Sequence, residues 1–321
     1  MNQYLSEVRT LVRQQTQRPV LVVIGNESVD LDSAVSSICL AFLLHKLRTK
    51  SKVIPVGKQL ESFVVVPVIN APRVELAIKT EVTHWLKKHQ IDLDNLLCRD
   101  EINLDKVESF ALVDHHVSQF NQKVISVLDH RPFDRISNLT SNCFVNVKEV
   151  GSCATLVYDA MKQEAEIEGY HDVSRLLYGA IVLDTINFSQ EAGKVRPLDI
   201  ECAESIEKQL VTTKIDVLSS RKKLYDELVN ARADVSTLDS LQILSKDLKI
   251  ISSPNGNVKV AIPGVPVYDV IKMMNAEENL KLFAQKNDVD VVVLMGMAPN
   301  GDSIVRFLGV IDIKHPTLFN E

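Results

Sequence analysis

The chain has 321 residues, 45% hydrophobic and 24% charged, which describes a globular protein with enough apolar material for two cores. A net charge of −6 argues against nucleic acid as the main partner, because phosphate backbones select basic faces. Five cysteines without paired spacing indicate neither a zinc ribbon nor a disulfide framework and suit a reducing compartment, and no apolar run reaches the roughly 18 residues that span a bilayer.

The first twenty residues set Arg9, Arg13 and Arg18 against Glu7, with many glutamines. They read as a capping surface helix or, alternatively, as a weak mitochondrial presequence. PVLVVI at 19–24 is a strand by composition; Gly25 and the acidic turn NESVDLD follow, and Ser33 is the expected N-cap of a helix over 34–47. Asp30 and Asp32 lie two apart in that turn, at a strand's carboxyl end. They fit chelation of a cation and fit an ordinary Asx-rich turn equally. Residues 52–55 and 63–68 are further strand candidates. In NAPRVEL, Asn70 and Arg73 precede a helix expected over 74–89, which places Arg73 near a helix N-terminus as either an anion contact or a surface ion-pair partner. Trp85, the only tryptophan, is expected to pack that helix onto the sheet.

The stretch FALVDHHVSQFNQKVISVLDHR at 110–131 organises the chain. Two β-branched runs each end in Asp followed by His, and such runs read as buried strands of a parallel sheet. Ligands of open α/β sheets collect beyond the carboxyl ends of strands, so Asp114, His115, His116, Asp129 and His130 are expected at one edge. A polar loop at 132–142 and a strand at 144–150 follow. GSCATL at 151–156 opens a helix with small residues and free backbone N–H groups, suited to approaching a phosphate or to packing tightly. RLLYGAIVLDTINF reads as part of an apolar helix over 173–188 with one acid inside it, Asp184; a buried carboxylate is costly unless paired or bound to metal. Residues 190–197 are loop-like and 198–232 charged and helical, as in a linker. Beyond it come strands at 248–252, 258–262, 289–295 and 304–311, a helix over 268–285 and a hairpin turn at PNGDS, 299–303. The chain divides accordingly into residues 1–195, a helical linker 196–232 and a smaller α/β domain 233–321. It shows no repeats or low-complexity tracts.

Collected, Asp30, Asp32, Asp114, His130 and Asp184 form a set of hard oxygen donors with imidazole and no thiolate, which suits Mn²⁺ or Mg²⁺ better than zinc. Four carboxylates at one point repel unless cations share them, as in two-metal hydrolases.

GNESVDLDS, LVDHH, LDHRP, GSCATL and GAIVLDTINF, in this order, resemble the DHH phosphoesterases. The likeness is to the branch of family II inorganic pyrophosphatases, yeast-type exopolyphosphatases and animal prune proteins, closest to prune, and DVSTLDSLQILSKDLK from Asp234 is similar to the start of a DHHA2 domain. The resemblance implies an α/β fold, a mainly parallel DHH domain with a DHHA2 domain that closes over a cleft between them. It implies two divalent cations, Mn²⁺ or Mg²⁺, on Asp30, Asp32, Asp114, His130 and Asp184, with Asp114 bridging and a bridging hydroxide as nucleophile. Asp114, His130 and Arg131 become the catalytic candidates, and Arg73, Arg131, His115 and His116 the substrate-facing ones. Lys222, Lys223, Lys246 and Arg306 are candidates for further basic contacts. Two positions depart from the pyrophosphatase pattern: Asn26 stands for a histidine, and Arg131 for the second histidine of the name-giving DHH. The implied function is a cytoplasmic phosphohydrolase of short-chain polyphosphates, with cyclic-nucleotide phosphodiesterase activity as a related capacity. The alternatives are a regulatory protein acting through nucleoside diphosphate kinase, or an inorganic pyrophosphatase.

Overall fold

Val and Ile supply most of the strand residues that precede the acidic turns, and every one of them needs cover on both faces. The computed structural model describes residues 1–47, 51–55, 60–132, 139–164, 170–212, 221–265, 276–300 and 303–313. The chain divides into two compact units, Met1–Leu76 with Glu81–Arg232, and Ala77–Thr80 with Ala233–Glu321.

The first unit is built on a six-stranded parallel sheet: β1 (Val20–Ile24), β2 (Val64–Ile69), β3 (Leu97–Cys98), β4 (Ser109–Val113), β5 (Val124–Asp129) and β6 (Phe144–Val147), in the order β3-β2-β1-β4-β5-β6. Successive strands step outward to one side from β1 and then, beginning at β4, to the other. The turns leaving β1 and β4 therefore diverge, and a crevice opens between them. Helices α1 (Asn2–Arg13), α2 (Leu31–Leu47), α3 (Thr80–Lys88), α4 (Cys153–Glu164), α5 (His171–Asp184), α6 (Pro197–Thr212) and α7 (Arg221–Ala233) accompany the sheet. Helix α2 is apolar nearly all round, with buried residues from Leu31 to Leu44, as a helix enclosed by neighbours must be.

Several local expectations change. Residues 52–55 form a turn rather than a strand. The helix expected over 74–89 is broken: a 3-10 segment, Arg73–Ile78, precedes α3. Trp85 packs against helix α5, its Nε1–H donating to the Leu176 carbonyl at 3.1 Å, and its ring lies where a side chain on Gly179 would stand, so only glycine fits there. Helix α5 ends at Asp184, short of 188, because Ile186, Asn187 and Phe188 turn left-handed with φ of 52°, 53° and 60°. The stretch expected as a linker, 196–232, contributes Cys202, Ala203, Ile206, Leu210, Leu224 and Leu228 to the first unit's core. Its apolar residues find a helical face to bury, which a free linker does not offer. Asp199, fully buried, fixes the start of α6 by accepting from the Arg196 backbone N–H at 2.8 Å.

The second unit holds α8 (Ser240–Lys246), β7 (Leu248–Ser252), β8 (Lys259–Val265), α9 (Ala276–Asn287), β9 (Val291–Asn300) and β10 (Ser303–Asp312). Its sheet order is β10-β9-β8-β7, with β8 and β9 parallel and both outer pairs antiparallel. Leu244, Phe283, Ala284 and Val292 centre its core. Residues 266–275, the first part of the helix expected over 268–285, and 301–302 of PNGDS lie outside the described residues. Among the described residues no helix is long and apolar enough to cross a membrane.

Candidate metal centre

The divergent turns after β1 and β4 each carry an acid on a constrained backbone. Beyond β1, the Ser33 hydroxyl occupies the space a side chain on Gly25 would need and accepts the Asn26 N–H at 2.6 Å. Asp30, rather than Ser33, caps α2: its Oδ1 accepts the Ser33 N–H at 2.9 Å, so the helix begins at Leu31. Asp32 thereby enters the first helical turn and points into the interior. Beyond β4, Asp114 takes up the left-handed conformation, φ 59°, with its N–H held by the Leu128 carbonyl at 2.9 Å and the Cys153 thiol at 3.2 Å. The turn after β5 is set by Asp129, which accepts the backbone N–H of His130 at 2.8 Å and of Arg131 at 3.3 Å.

These turns bring the five expected ligands to one cavity of about 400 Å³, lined by Asp30, Asp32, Asp114, His130 and Asp184 together with Arg131. One ligand atom each from Asp32, Asp114 and His130 lie within 4.8 Å of one another. His130 Nε2 is 3.1 Å from Asp114 Oδ1 and 3.7 Å from Asp32 Oδ2, while its Nδ1–H donates to the Val150 carbonyl at 3.0 Å. That second bond presents Nε2 to the cavity, as a metal-binding imidazole requires. The Arg131 guanidinium is 3.6 Å from Asp114 Oδ1 and half exposed.

The electrostatics are those of a site short of positive charge. Burial and the neighbouring Asp32 charge push the Asp114 carboxyl up to about 7. Burial, with Asp32 and Asp30 nearby, raises Asp184 well above the carboxylate range. Asp32 is raised chiefly by burial, against the lowering effects of His130 and the N–H groups of Cys153 and Ala154. Burial disfavours the His130 imidazolium, but the Asp114 hydrogen bond and the Asp32 charge outweigh it and push its pKa up to about 10. Divalent cations relieve this repulsion directly, and hard oxygen donors with one imidazole match Mn²⁺ or Mg²⁺. The residues present therefore fit the expected metal.

Other expectations for the site fail on geometry. Arg73 does not line the cavity: its guanidinium is held by Glu101 and by the Leu93 carbonyl at 2.9 Å, a clasp between loops. His115 and His116 do not line it either. The His115 Nδ1–H donates to the Val113 carbonyl at 2.9 Å, and burial lowers its pKa, which keeps it neutral. His116 is buried and turned to the Asp129 carboxylate. The N–H groups of GSCATL are not free for phosphate: Gly151 donates to Asp199 at 2.8 Å, and Cys153 and Ala154 donate to Asp32 at 2.6 and 2.7 Å. Of the other basic candidates, Lys222 pairs with Asp226 on α7, and the Lys246 ammonium donates to Thr80 Oγ1 at 2.7 Å.

The cavity's further wall joins Gly151 of GSCATL to Gly193, Lys194 and Arg196, three residues the sequence did not mark as site residues. Asp199 joins this wall together, accepting from Gly151, Arg196 and, at 2.5 Å, the Thr155 hydroxyl. Its only sequence signal was a pair of basic residues in a loop, GKVRP, that composition alone marks as a connector.

A parallel-sheet unit with an acidic, imidazole-bearing crevice at its switch point marks an α/β class of protein with a candidate metal site, and comparison with known families narrows it. The model for the DHH family, N-terminal domain, matches residues 20–182 and the DHHA2 domain model matches 226–320; the chain belongs to the DHH family. It is 33% identical over 305 residues to the human exopolyphosphatase PRUNE1, covering 92% of this chain and 63% of that protein, so it spans less than two thirds of that relative's length. A probable manganese-dependent inorganic pyrophosphatase of Listeria welshimeri is 29% identical over 199 residues, 58% of each chain. The crystal structure of a putative family II inorganic pyrophosphatase of Methanococcus jannaschii shares the fold, with a TM-score of 0.54 at 22% identity, covering 90% of this chain and 87% of that one.

Proposed function

We propose that the chain hydrolyses phosphoanhydride bonds, with short-chain polyphosphate or pyrophosphate as substrate and Mn²⁺ or Mg²⁺ as cofactor. One observation carries this reading: a single cavity sets Asp30, Asp32, Asp114, Asp184 and His130 beside Arg131, Lys194 and Arg196. Carboxylates that demand cations, next to fixed cations, suit a polyanion delivered to metal. The relatives named exopolyphosphatase and manganese-dependent pyrophosphatase point the same way.

When bound, divalent cations activate water for attack on phosphorus and neutralise the phosphoryl oxygens. Asp32, Asp114, His130 and Asp184 would hold them, with Asp30 beside. Val150 orients the His130 ring, and the α4 N-terminus aims the Asp32 carboxylate and favours its charged form against the effect of burial. Arg131 is permanently cationic, so it stabilises developing phosphoryl charge and does not protonate a leaving group. Reliance on Arg131 at this position favours anhydrides, whose phosphate leaves unprotonated, over alkyl esters. Lys194 is exposed at the same wall and would anchor a neighbouring phosphate.

Turnover of pyrophosphate, tripolyphosphate and a cyclic nucleotide, measured on one preparation with Mn²⁺ and with Mg²⁺, tests this. Tripolyphosphate or pyrophosphate should be cleaved at least tenfold faster than the cyclic diester. Faster cleavage of the diester, or no metal-dependent turnover of either anhydride, overturns the reading.

A further inference from the structure

Asn26 stands at the end of β1, 8% exposed, and is held from every side. Its Oδ1 accepts the Ser28 N–H at 2.9 Å, the Ser28 hydroxyl at 2.6 Å and the Val29 N–H at 3.2 Å. Two of these donors are backbone amides, so they fix which end of the side-chain amide is oxygen. They also hold Val29, a β-branched residue, at φ 48°, a conformation that needs such support. The Nδ2 therefore points the other way, and it donates to Asp114 Oδ2 at 2.6 Å and approaches the Asp114 carbonyl at 3.4 Å. Asn26 does not line the cavity, although its neighbour in that contact does.

The two oxygens of Asp114 thus face different partners. Oδ1 turns to His130 and to the Asp32 side, where three ligand atoms already converge. Oδ2 is capped by an N–H donor that has no lone pair to offer a cation. The one atom of Asn26 able to ligate is committed to the 26–29 turn.

We propose that Asn26 is a fixed hydrogen-bond donor to Asp114 and not a metal ligand, and that it makes the two cation positions unequal. One cation binds tightly to Asp32, Asp114 Oδ1 and His130, with Asp184 beside them. A second cation that used Asp114 Oδ2 must displace the Asn26 amide from it and finds no ligand in its place. That second position fills only weakly until a phosphorylated substrate brings oxygen donors of its own, a common arrangement for Mg²⁺ and Mn²⁺ held by few carboxylates. This rests on the same five residues being the metal centre proposed above. It adds that substrate completes the centre, which gates activity by free metal concentration.

The test is calorimetric titration of the full chain with Mn²⁺ alone, without phosphate, alongside the melting temperature. Wild type should take up one equivalent tightly and a second about 100-fold more weakly or beyond, the scale on which lost metal-site partners are felt. Asn26→Asp is isosteric: one oxygen keeps the Ser28 and Val29 bonds while the other faces Asp114, where a cation must now sit. It should bind two tight equivalents, with a larger Mn²⁺-dependent rise in melting temperature than wild type. Asn26→His serves as the second variant, with the same expected stoichiometry, should Asn26→Asp not fold. Two equal sites in wild type, or one tight site in every folded variant, overturn the proposal. No turnover is read, so a wild type that cleaves no anhydride yet shows the one-to-two pattern would remove the hydrolase reading alone. An active enzyme with two equal sites would remove this inference alone.

Discussion

The carboxylate of Asp32 accepts the backbone N–H of Cys153 at 2.6 Å, across 121 residues of sequence. With the Ala154 N–H at 2.7 Å on its other oxygen, Asp32 caps the N-terminus of α4 and faces the metal cavity at once. A helix N-terminus favours a nearby negative charge, so the contact opposes the burial that raises the Asp32 pKa and fixes the direction of its carboxylate.

That double use makes Asp32 substitutions separable. Asp32→Ala should lose the α4 cap and cost about 1–2 kcal/mol in chemical denaturation of the metal-free protein. Asp32→Asn keeps an acceptor for one N–H while removing the charge. It should cost less than Asp32→Ala in stability, yet match it in loss of Mn²⁺ affinity. Equal stabilities for the two variants would show that the cap contributes nothing.

Asp114 gives a pH dependence to the metal-free protein. Its pKa rises from near 4 unfolded to about 7 folded, so the folded state holds the proton more tightly. The carboxyl costs nothing below pH 4, and its ionisation penalty grows between pH 4 and 7 and is full above 7. Metal-free protein should lose stability as pH rises through that window, and saturating Mn²⁺ should restore it by binding linkage. Asp114→Asn should flatten the metal-free curve, raise stability at pH 8, and lower anhydride turnover at least a hundredfold. Thermal melts across pH 4–9 with chelator and with Mn²⁺ read this directly; a metal-free curve equally steep in Asp114→Asn would show that the penalty lies elsewhere.

His89 acts in the opposite sense, away from the site. It packs edge-on against Trp85 with centroids 4.2 Å apart, and its Nε2 has no hydrogen-bond partner among the described residues. Burial, helped by Lys88 and Arg175 and opposed by Asp172 and Glu227, lowers its pKa to about 4. The unfolded imidazole takes up a proton from about pH 6.5 downward and the folded one does not, so stability is full above 6.5 and falls toward pH 4. The ceiling is about 3 kcal/mol, reduced by the ring's partial exposure. His89→Phe preserves the aromatic contact and should remove this acid-side loss, visible as a flatter denaturation midpoint between pH 6.5 and 4.5.

Arg131 is the residue whose role in substrate choice is most exposed to test. Its guanidinium is half exposed and within 3.6 Å of Asp114 Oδ1, free to meet a second phosphate. Arg131→Ala should raise KM for tripolyphosphate at least tenfold and for a single phosphodiester far less. Equal losses on both substrates would leave Arg131 as scaffolding.

Much of the site was legible in the residues. Apolar strands that end in acids marked the crevice, because a parallel sheet delivers strand ends to one edge, and Asp30, Asp32, Asp114, His130 and Asp184 do meet there. Local chemistry also made residue 131 a fixed cation and excluded a thiolate site. What the sequence could not determine was where each polar group finds its partner, since those partners lie far along the chain. Arg73 had a plausible helix N-terminus beside it, but Glu101 and two carbonyls hold it elsewhere. The free amides of GSCATL were claimed by Asp32 and Asp199, and residues 196–232, polar enough for a linker, found a helical face on which to bury six apolar side chains. Lys194 and Arg196 entered the cavity wall only because Asp199 ties their loop to Gly151. Strand composition is a local property and survives reading in one dimension. Hydrogen-bond satisfaction of buried charge is settled only when distant segments compete for the same donors in three.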